Sequence, residues 1–189
     1  ARDSFRKHGS IGPAVPFLQA RIVNEEGMPL PPNQVGELVC RGPTVMQGYY
    51  KNQEATEETI KNGWLYTGDL ATVDEEGYFY IVDRKKDMII SGGENIYPRE
   101  IEEVLLRHPA IADAAVIGIP DQTWGETVKA FVVPKEGETV TEKEVIDHCR
   151  EYLASYKKPT QVAFISSIPR NPSGKALKRV LRSESRSGD

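Results

Sequence analysis

The sequence predicts an α+β fold in two parts, an antiparallel, strand-rich region followed by a small α+β domain built on a three-stranded sheet. Up to residue 83 short apolar runs alternate with turn signals, and beyond it strand and helix periodicities alternate. The charged run DRKKD at 83–87 separates the two grammars. With 189 residues, 39% of them hydrophobic, the chain can bury one medium core or two small ones.

In chain order, QARIVN, GELVCRG and VMQGYY read as strands, broken by EEGMP and by later turn residues. A Glu-rich helix over residues 53–60 interrupts them and stops at Asn62-Gly63. DLATV and YFYIV flank a turn at 74–77, so the region closes as an antiparallel sheet or small distorted barrel. After DRKKD comes a short apolar strand, then Gly92-Gly93, then Pro98 as the first residue of a helix over 98–108 that ends at Pro109. Ile101, Val104 and Leu105 share its inner face. AAVIGI and VKAFVV are strands, and residues 141–153 form a second helix with Val145, Ile146, Cys149, Tyr152 and Leu153 facing inward. QVAFIS completes the sheet, PRNPSG is a loop, and a last helix starts over 175–181. Residues 183–189 are expected to fray.

The net charge of -4 speaks against a dedicated nucleic-acid binder, yet it averages two unlike regions. Residues 1–83 hold 7 Lys/Arg against 12 Asp/Glu, whereas residues 84–189 hold 17 against 16. From 156 to 186, Lys157, Lys158, Arg170, Lys175, Lys178, Arg179, Arg182 and Arg186 face only Glu184, so an anionic ligand is expected at the C-terminal half. Cys40 and Cys149 read as free thiols buried in a reducing compartment. No apolar stretch is long enough to span a membrane and no secretion leader is evident. The abrupt start, ARDSFRKHGSIG, suggests a piece of something larger.

Three segments suit chemistry. In WLYTGDL, Asp69 either grips two vicinal hydroxyls of a ribose, since an ionised carboxylate accepts two hydrogen bonds, or satisfies amides of its own turn. In DRKKDMIISGGENIYP, Arg84 offers a donor to the same sugar or to a phosphate, and Lys86 sits where a hinge would be. Gly92 and Gly93 either line a narrow channel or merely turn the chain. In PRNPSGKALKR, Lys175 follows a loop and precedes a helix, as a mobile point charge or an ordinary surface lysine. Trp124, in PDQTWGE, is either a core residue or a stacking wall. His8, His108 and His148 lack metal-ligand spacing, no Gly-x-Ser-x-Gly elbow occurs, DEEGY is too short for a calcium loop, and the glycine spacing before Lys175 is not that of a phosphate-cradling P-loop.

GELVCRGPTVMQGYY, GWLYTGD, GYFYIVDRKKDMIISGGENIYPREIE and PRNPSGK, in this order and spacing, resemble the C-terminal part of the adenylate-forming enzymes. That superfamily comprises acyl-CoA synthetases, luciferases and peptide-synthetase adenylation domains. IISGGENIYP and PDQTWGE look most like a medium- or long-chain fatty acyl-CoA synthetase, with an aryl-acid CoA ligase as the nearest rival. The resemblance implies that residues 1–83 end a large N-terminal domain and that residues 84–189 form a mobile lid hinged near 83–87. It further implies ATP-dependent activation of a fatty acid as acyl-AMP, followed by transfer to CoA. By motif position Lys175 would be catalytic, Asp69 and Arg84 would bind nucleotide, Lys86 would be the hinge, and Gly92, Gly93, Trp124, Tyr156, Lys157 and Lys158 would meet CoA. ATP, CoA and Mg2+ are the implied cofactors, the magnesium site lying in a part of the N-terminal domain that this sequence does not contain. The superfamily's Gly/Ser/Thr-rich phosphate loop is also absent from it, so the chain alone is expected to be inactive. Fatty acid, ATP and CoA are the expected partners, with no nucleic acid and no integral membrane segment, in the cytoplasm, free or peripheral to a membrane. A non-catalytic module binding nucleotide, CoA or nucleic acid through its basic tail is the reading from another class.

Overall fold

The computed structural model describes residues 6–187. The chain divides into two compact units, the break falling between Lys86 and Asp87.

The first unit is a five-stranded antiparallel sheet. Its strands are β1 (Gln19–Val23), β2 (Gly36–Arg41), β3 (Ile60–Lys61), β4 (Trp64–Val73) and β5 (Phe79–Arg84), in the order β1-β2-β4-β3 with β5 also on β4. The long β4 is therefore the spine, and register shifts beside Glu37 and Leu70 bend it. Ile22, Ala71 and Phe79 are buried on one face, as period-2 strands require. The helix α1 (Gln53–Thr59) starts where the Asn52 side chain accepts from Ala55 N at 3.1 Å, and none of its residues is buried. VMQGYY forms no strand, contrary to its apolar pattern. Its backbone is used to close the turn before α1, with Tyr49 N–H donating to Thr56 Oγ1 at 2.9 Å and Asn52 N–H to Tyr49 O at 3.1 Å.

The second unit holds a five-stranded sheet instead of the three strands expected. The expected three are β8 (Ile111–Asp121), β9 (Gly125–Pro134) and β10 (Gln161–Phe164), β9 and β10 running parallel. The addition is a hairpin of β6 (Ile89–Ser91) and β7 (Glu94–Ile96), attached to β9 through Ser91 and Gly125. The short apolar strand expected after DRKKD is β6; β7, three residues long, is too short to show a period of two in sequence. Alternate residues of β8 serve two cores, which is why AAVIGI is apolar throughout. Val116 packs with α2 (Pro98–Leu105) and α3 (Glu142–Tyr152), while Ala115 and Ile117 pack with Leu181 of α4 (Lys178–Ser187).

Helix ends differ from the sequence pattern for local reasons. α2 stops at Leu105, beyond which Arg107 N–H and His108 N–H donate only three residues back, to Val104 O and Leu105 O at 3.1 and 3.0 Å, and Pro109 has no N–H to continue the ladder. α3 opens on a capping box between Thr141 and Glu144. Its Tyr152 is 53% exposed, leaning on His148 with ring centroids 5.1 Å apart instead of entering the core. α4 begins three residues later than expected, since Lys175 N–H and Leu177 N–H are taken by Asn171 Oδ1 and Pro169 O. It then continues through residue 187, held by the buried Leu181 and by Arg182 Nη2 at 3.1 Å from the buried Asp87 carboxylate. The fraying expected at 183–187 is thus not observed, and that at 188 and 189 lies outside the described residues. Both cysteines are free; burial pushes the Cys149 thiol up to about 12, so it behaves as a small apolar group. Among the described residues no helix is long and apolar enough to cross a membrane.

Candidate functional site

In the first unit, β4 and β5 place Asp69 directly opposite Arg84, and Arg84 Nη1 lies 2.9 Å from Asp69 Oδ1. The turn-carboxylate alternative for Asp69 fails on geometry. Its neighbours do that work: Thr67 Oγ1 receives Asp69 N–H at 3.1 Å, and the buried Glu37 receives Gly68 N–H at 3.1 Å. Gly68 has φ +72 with open space where a Cβ would stand, so backbone conformation selects glycine there. Asp69 consequently keeps a carboxylate 28% exposed with only Arg84 on it among the described residues, which suits a diol ligand.

DRKKD is not a uniformly solvated cluster. Asp83 Oδ1 accepts Arg84 N–H at 2.7 Å, Lys85 Nζ lies 2.9 Å from Glu37, and Asp87 holds Arg182. Arg84, Lys85 and Lys86 are all exposed, and of the three Lys86 is the one that makes no ion pair among the described residues. It is the last residue of its unit, in a 3-10 turn, where a backbone rotation breaks no side-chain bond of its own.

In the second unit, Gly92 and Gly93 form the two-residue turn of the β6–β7 hairpin, with φ +59 and +86. Positive φ at both positions demands such residues. A Cβ on Gly92 would come within 2.8 Å of Trp124 Cε3, whereas one on Gly93 would meet nothing. Trp124 is not a core residue: it is 59% exposed, lies over Gly92, and accepts Gly92 N–H through its carbonyl at 2.9 Å. Asp121 Oδ1 fixes that corner by accepting Thr123 N–H and Trp124 N–H at 2.8 and 2.9 Å. The hairpin turn and the indole together make one exposed surface.

Tyr156, Lys157 and Lys158 follow α3. Tyr156 is 46% exposed and Lys158 Nζ donates to Ser155 O at 3.1 Å. Lys157 is engaged, its Nζ lying 2.9 and 2.7 Å from the two oxygens of Glu100. Lys175 is exposed and its ammonium makes no ion pair among the described residues. Its loop is ordered around Asn171 and tied to the sheet by Arg170, and α4 is anchored just beyond it by Lys178 Nζ at 2.8 Å from Glu102. Sequence reasoning missed Glu37, Glu100, Asp113, Arg170 and Asn171 as supports. Asn-Pro-Ser-Gly did carry a turn signal that pointed to Asn171. Among the described residues no group of His, Cys, Asp and Glu is arranged to hold a metal ion.

Two family models match the chain: the AMP-binding enzyme C-terminal domain over residues 100–175 and the AMP-binding enzyme over residues 1–50. The 2-succinylbenzoate–CoA ligase of Bacillus mycoides is 52% identical over 176 residues, 93% of this chain and 36% of that protein. A long-chain-fatty-acid–CoA ligase of Escherichia coli is 48% identical over 178 residues, 94% of this chain and 32% of that protein. The chain thus spans about a third of the curated relatives it matches. Among solved structures, ATP-bound MatB from Rhodopseudomonas palustris superposes with a TM-score of 0.90 at 39% identity, covering 94% of this chain and 36% of that one. The o-succinylbenzoate CoA synthetase of Bacillus subtilis with its acyl-adenylate intermediate gives 0.88 at 42% identity, covering 96% and 37%.

Proposed function

We propose that this chain, which belongs to the adenylate-forming superfamily of AMP-binding enzymes and matches its C-terminal part, supplies the ribose clamp and the catalytic lysine of an AMP-forming CoA ligase. The observation that carries the reading is Lys175, an exposed ammonium with no ion pair among the described residues, on a loop whose backbone is fully organised. A free cation on an ordered loop is what a transition state gaining negative charge requires.

In this reading a substrate carboxylate attacks the α-phosphate of ATP and pyrophosphate leaves; the CoA thiol then attacks the acyl carbon and AMP leaves. Asp69 holds the ribose hydroxyls with Arg84 beside it. Lys175 neutralises the carboxylate and phosphate oxygens during the first step. Lys86 is the hinge, and rotation there exchanges Lys175 for the surface of Gly92, Gly93 and Trp124, along which the pantetheine arm lies. Tyr156 and Lys158 meet the CoA nucleotide, whereas Lys157 reaches a CoA phosphate only by leaving Glu100. Mg2+ would enter with ATP and offset the charge of its phosphates, as the o-succinylbenzoate CoA synthetase of Bacillus subtilis solved with ATP and magnesium supports, and among the described residues of this chain none is arranged to hold it. A cytoplasmic setting suits ATP and CoA as substrates.

For the acid, an aromatic substrate of the succinylbenzoate type is better supported than the fatty acid that the sequence motifs favoured. The 2-succinylbenzoate ligases are 52% identical to this chain against 48% for the fatty-acid ligase. The test uses the full-length enzyme carrying this chain. Pyrophosphate release is expected to be faster with 2-succinylbenzoate than with any fatty acid of a graded series. Lys175→Ala is expected to slow acyl-AMP formation by about 10²- to 10³-fold, while thioester formation from supplied acyl-AMP persists. Equal loss of both half-reactions overturns the role given to Lys175. The 189-residue chain by itself is expected to form no acyl-AMP, because its sequence contains no phosphate loop.

A further inference from the structure

The geometry points to Arg170 as the positioning residue for Lys175, an inference that rests on the catalytic role proposed for that lysine. Two sets of contacts govern the loop, and they do different things. The first set is internal. Asn171 Oδ1 accepts from Ser173 N, Ser173 Oγ and Lys175 N at 3.1, 2.8 and 2.9 Å. Asn171 N–H donates to Lys175 O and Gly174 N–H to Asn171 O, both at 2.9 Å, with Gly174 at φ +81. These bonds fix the shape of the loop but not its direction, since every partner lies inside it.

The second set points outward: Ala176 packs against the apolar cluster of Ile168 and Leu181, Lys178 pairs with Glu102 just beyond, and nearest the peptide of Lys175 stands a guanidinium. Arg170 Nη1 donates to Gly174 O at 2.7 Å, and Nη2 lies 2.8 Å from both carboxylate oxygens of Asp113 on β8. One rigid, planar group therefore joins a strand of the sheet to the peptide immediately before Lys175. A lysine ammonium is a point donor on a flexible stem and does not span both partners in a fixed plane. The pair is also partly in water, at 42% and 30% exposure, and ion pairs of that kind contribute little to folding. Its effect is on orientation. Without Arg170 the loop keeps its Asn171-centred shape and loses its aim, and misplacement of a catalytic group by about 1 Å costs on the order of 100-fold in rate.

The experiment measures both half-reactions in the full-length enzyme for Arg170→Ala, Arg170→Lys, Asp113→Ala, the double variant Arg170→Ala/Asp113→Ala, and Lys175→Ala. Arg170→Ala is expected to lower kcat for acyl-AMP formation by about 10- to 100-fold, with KM for ATP and the rate of thioester formation from supplied acyl-AMP unchanged. Arg170→Lys is expected to recover only a small part, and the double variant to be no slower than Arg170→Ala, as for two residues acting as one unit. A loss of fold would lower both half-reactions and would overturn the inference, as would wild-type adenylation by Arg170→Ala beside an inactive Lys175→Ala. The latter result leaves the proposed function standing. Adenylation undiminished in Lys175→Ala removes that function and the inference with it.

Discussion

SYKKP at 155–159 and PRNPSGK at 169–175 both bring lysine to the surface of the second unit, yet they dispose of the charge in opposite ways. Lys157 lays its ammonium on both oxygens of Glu100, a residue 57 positions away, and is only 19% exposed. Among the described residues Lys175 leaves its ammonium unpaired and engages its neighbours through its backbone, at Asn171. In sequence the two are equivalent members of a basic excess. Folding neutralises one and keeps the other available, so charge counted along a chain overstates the charge that a ligand can meet.

The comparison breaks first at the free lysine. Loss of Lys175 by substitution with alanine is the largest expected effect, the 10²- to 10³-fold fall in adenylation already described. Next comes Asn171→Ala, which removes the acceptor of three hydrogen bonds and lets the loop lose its shape. A fall of about 10- to 100-fold in acyl-AMP formation is expected in a pyrophosphate-release assay, with thioester formation spared. Adenylation at the wild-type rate would mean that the loop does not need its order. A smaller effect separates the paired lysine from its neighbour. Lys158→Ala is expected to raise KM for CoA by roughly fivefold, about 1 kcal/mol, and Lys157→Ala by less, because its charge is already compensated. The reverse ranking, read from initial rates against CoA concentration, would show that the Glu100 pair opens in use. Smallest is Glu100→Gln, which releases Lys157. It is expected to lower the thermal midpoint slightly, consistent with about 0–1 kcal/mol for a partly exposed ion pair, and to strengthen CoA binding.

Most strands and helices, though not their order in the sheets, were legible because continuous apolar runs and period-3.6 patterns record what is buried, as in AAVIGI and PREIEEVL. What stayed hidden was short or nonlocal. The strand β7, three residues long, is below the length at which a period shows, and VMQGYY is apolar without joining a sheet. The residues proposed for the site, Asp69, Arg84, Lys86, Gly92, Gly93, Trp124 and Lys175, were picked out by motif. Their supports were not, since Glu37 under Gly68, Asp113 under Arg170 and Glu100 under Lys157 act from 31, 57 and 57 positions away. For Trp124 the residues alone left a core position and a stacking wall both open because size argues for burial, whereas a glycine opposite it provides a platform at the surface.

The bond between Asp87 and Arg182 joins positions 95 apart, the first residue of the second unit and its final helix. That unit is therefore closed on itself: its entry point and its last element are fastened to each other inside the same body. The Lys175 loop, its Arg170 brace and the Gly92-Trp124 surface therefore share one frame, and whatever displaces one of them displaces the others.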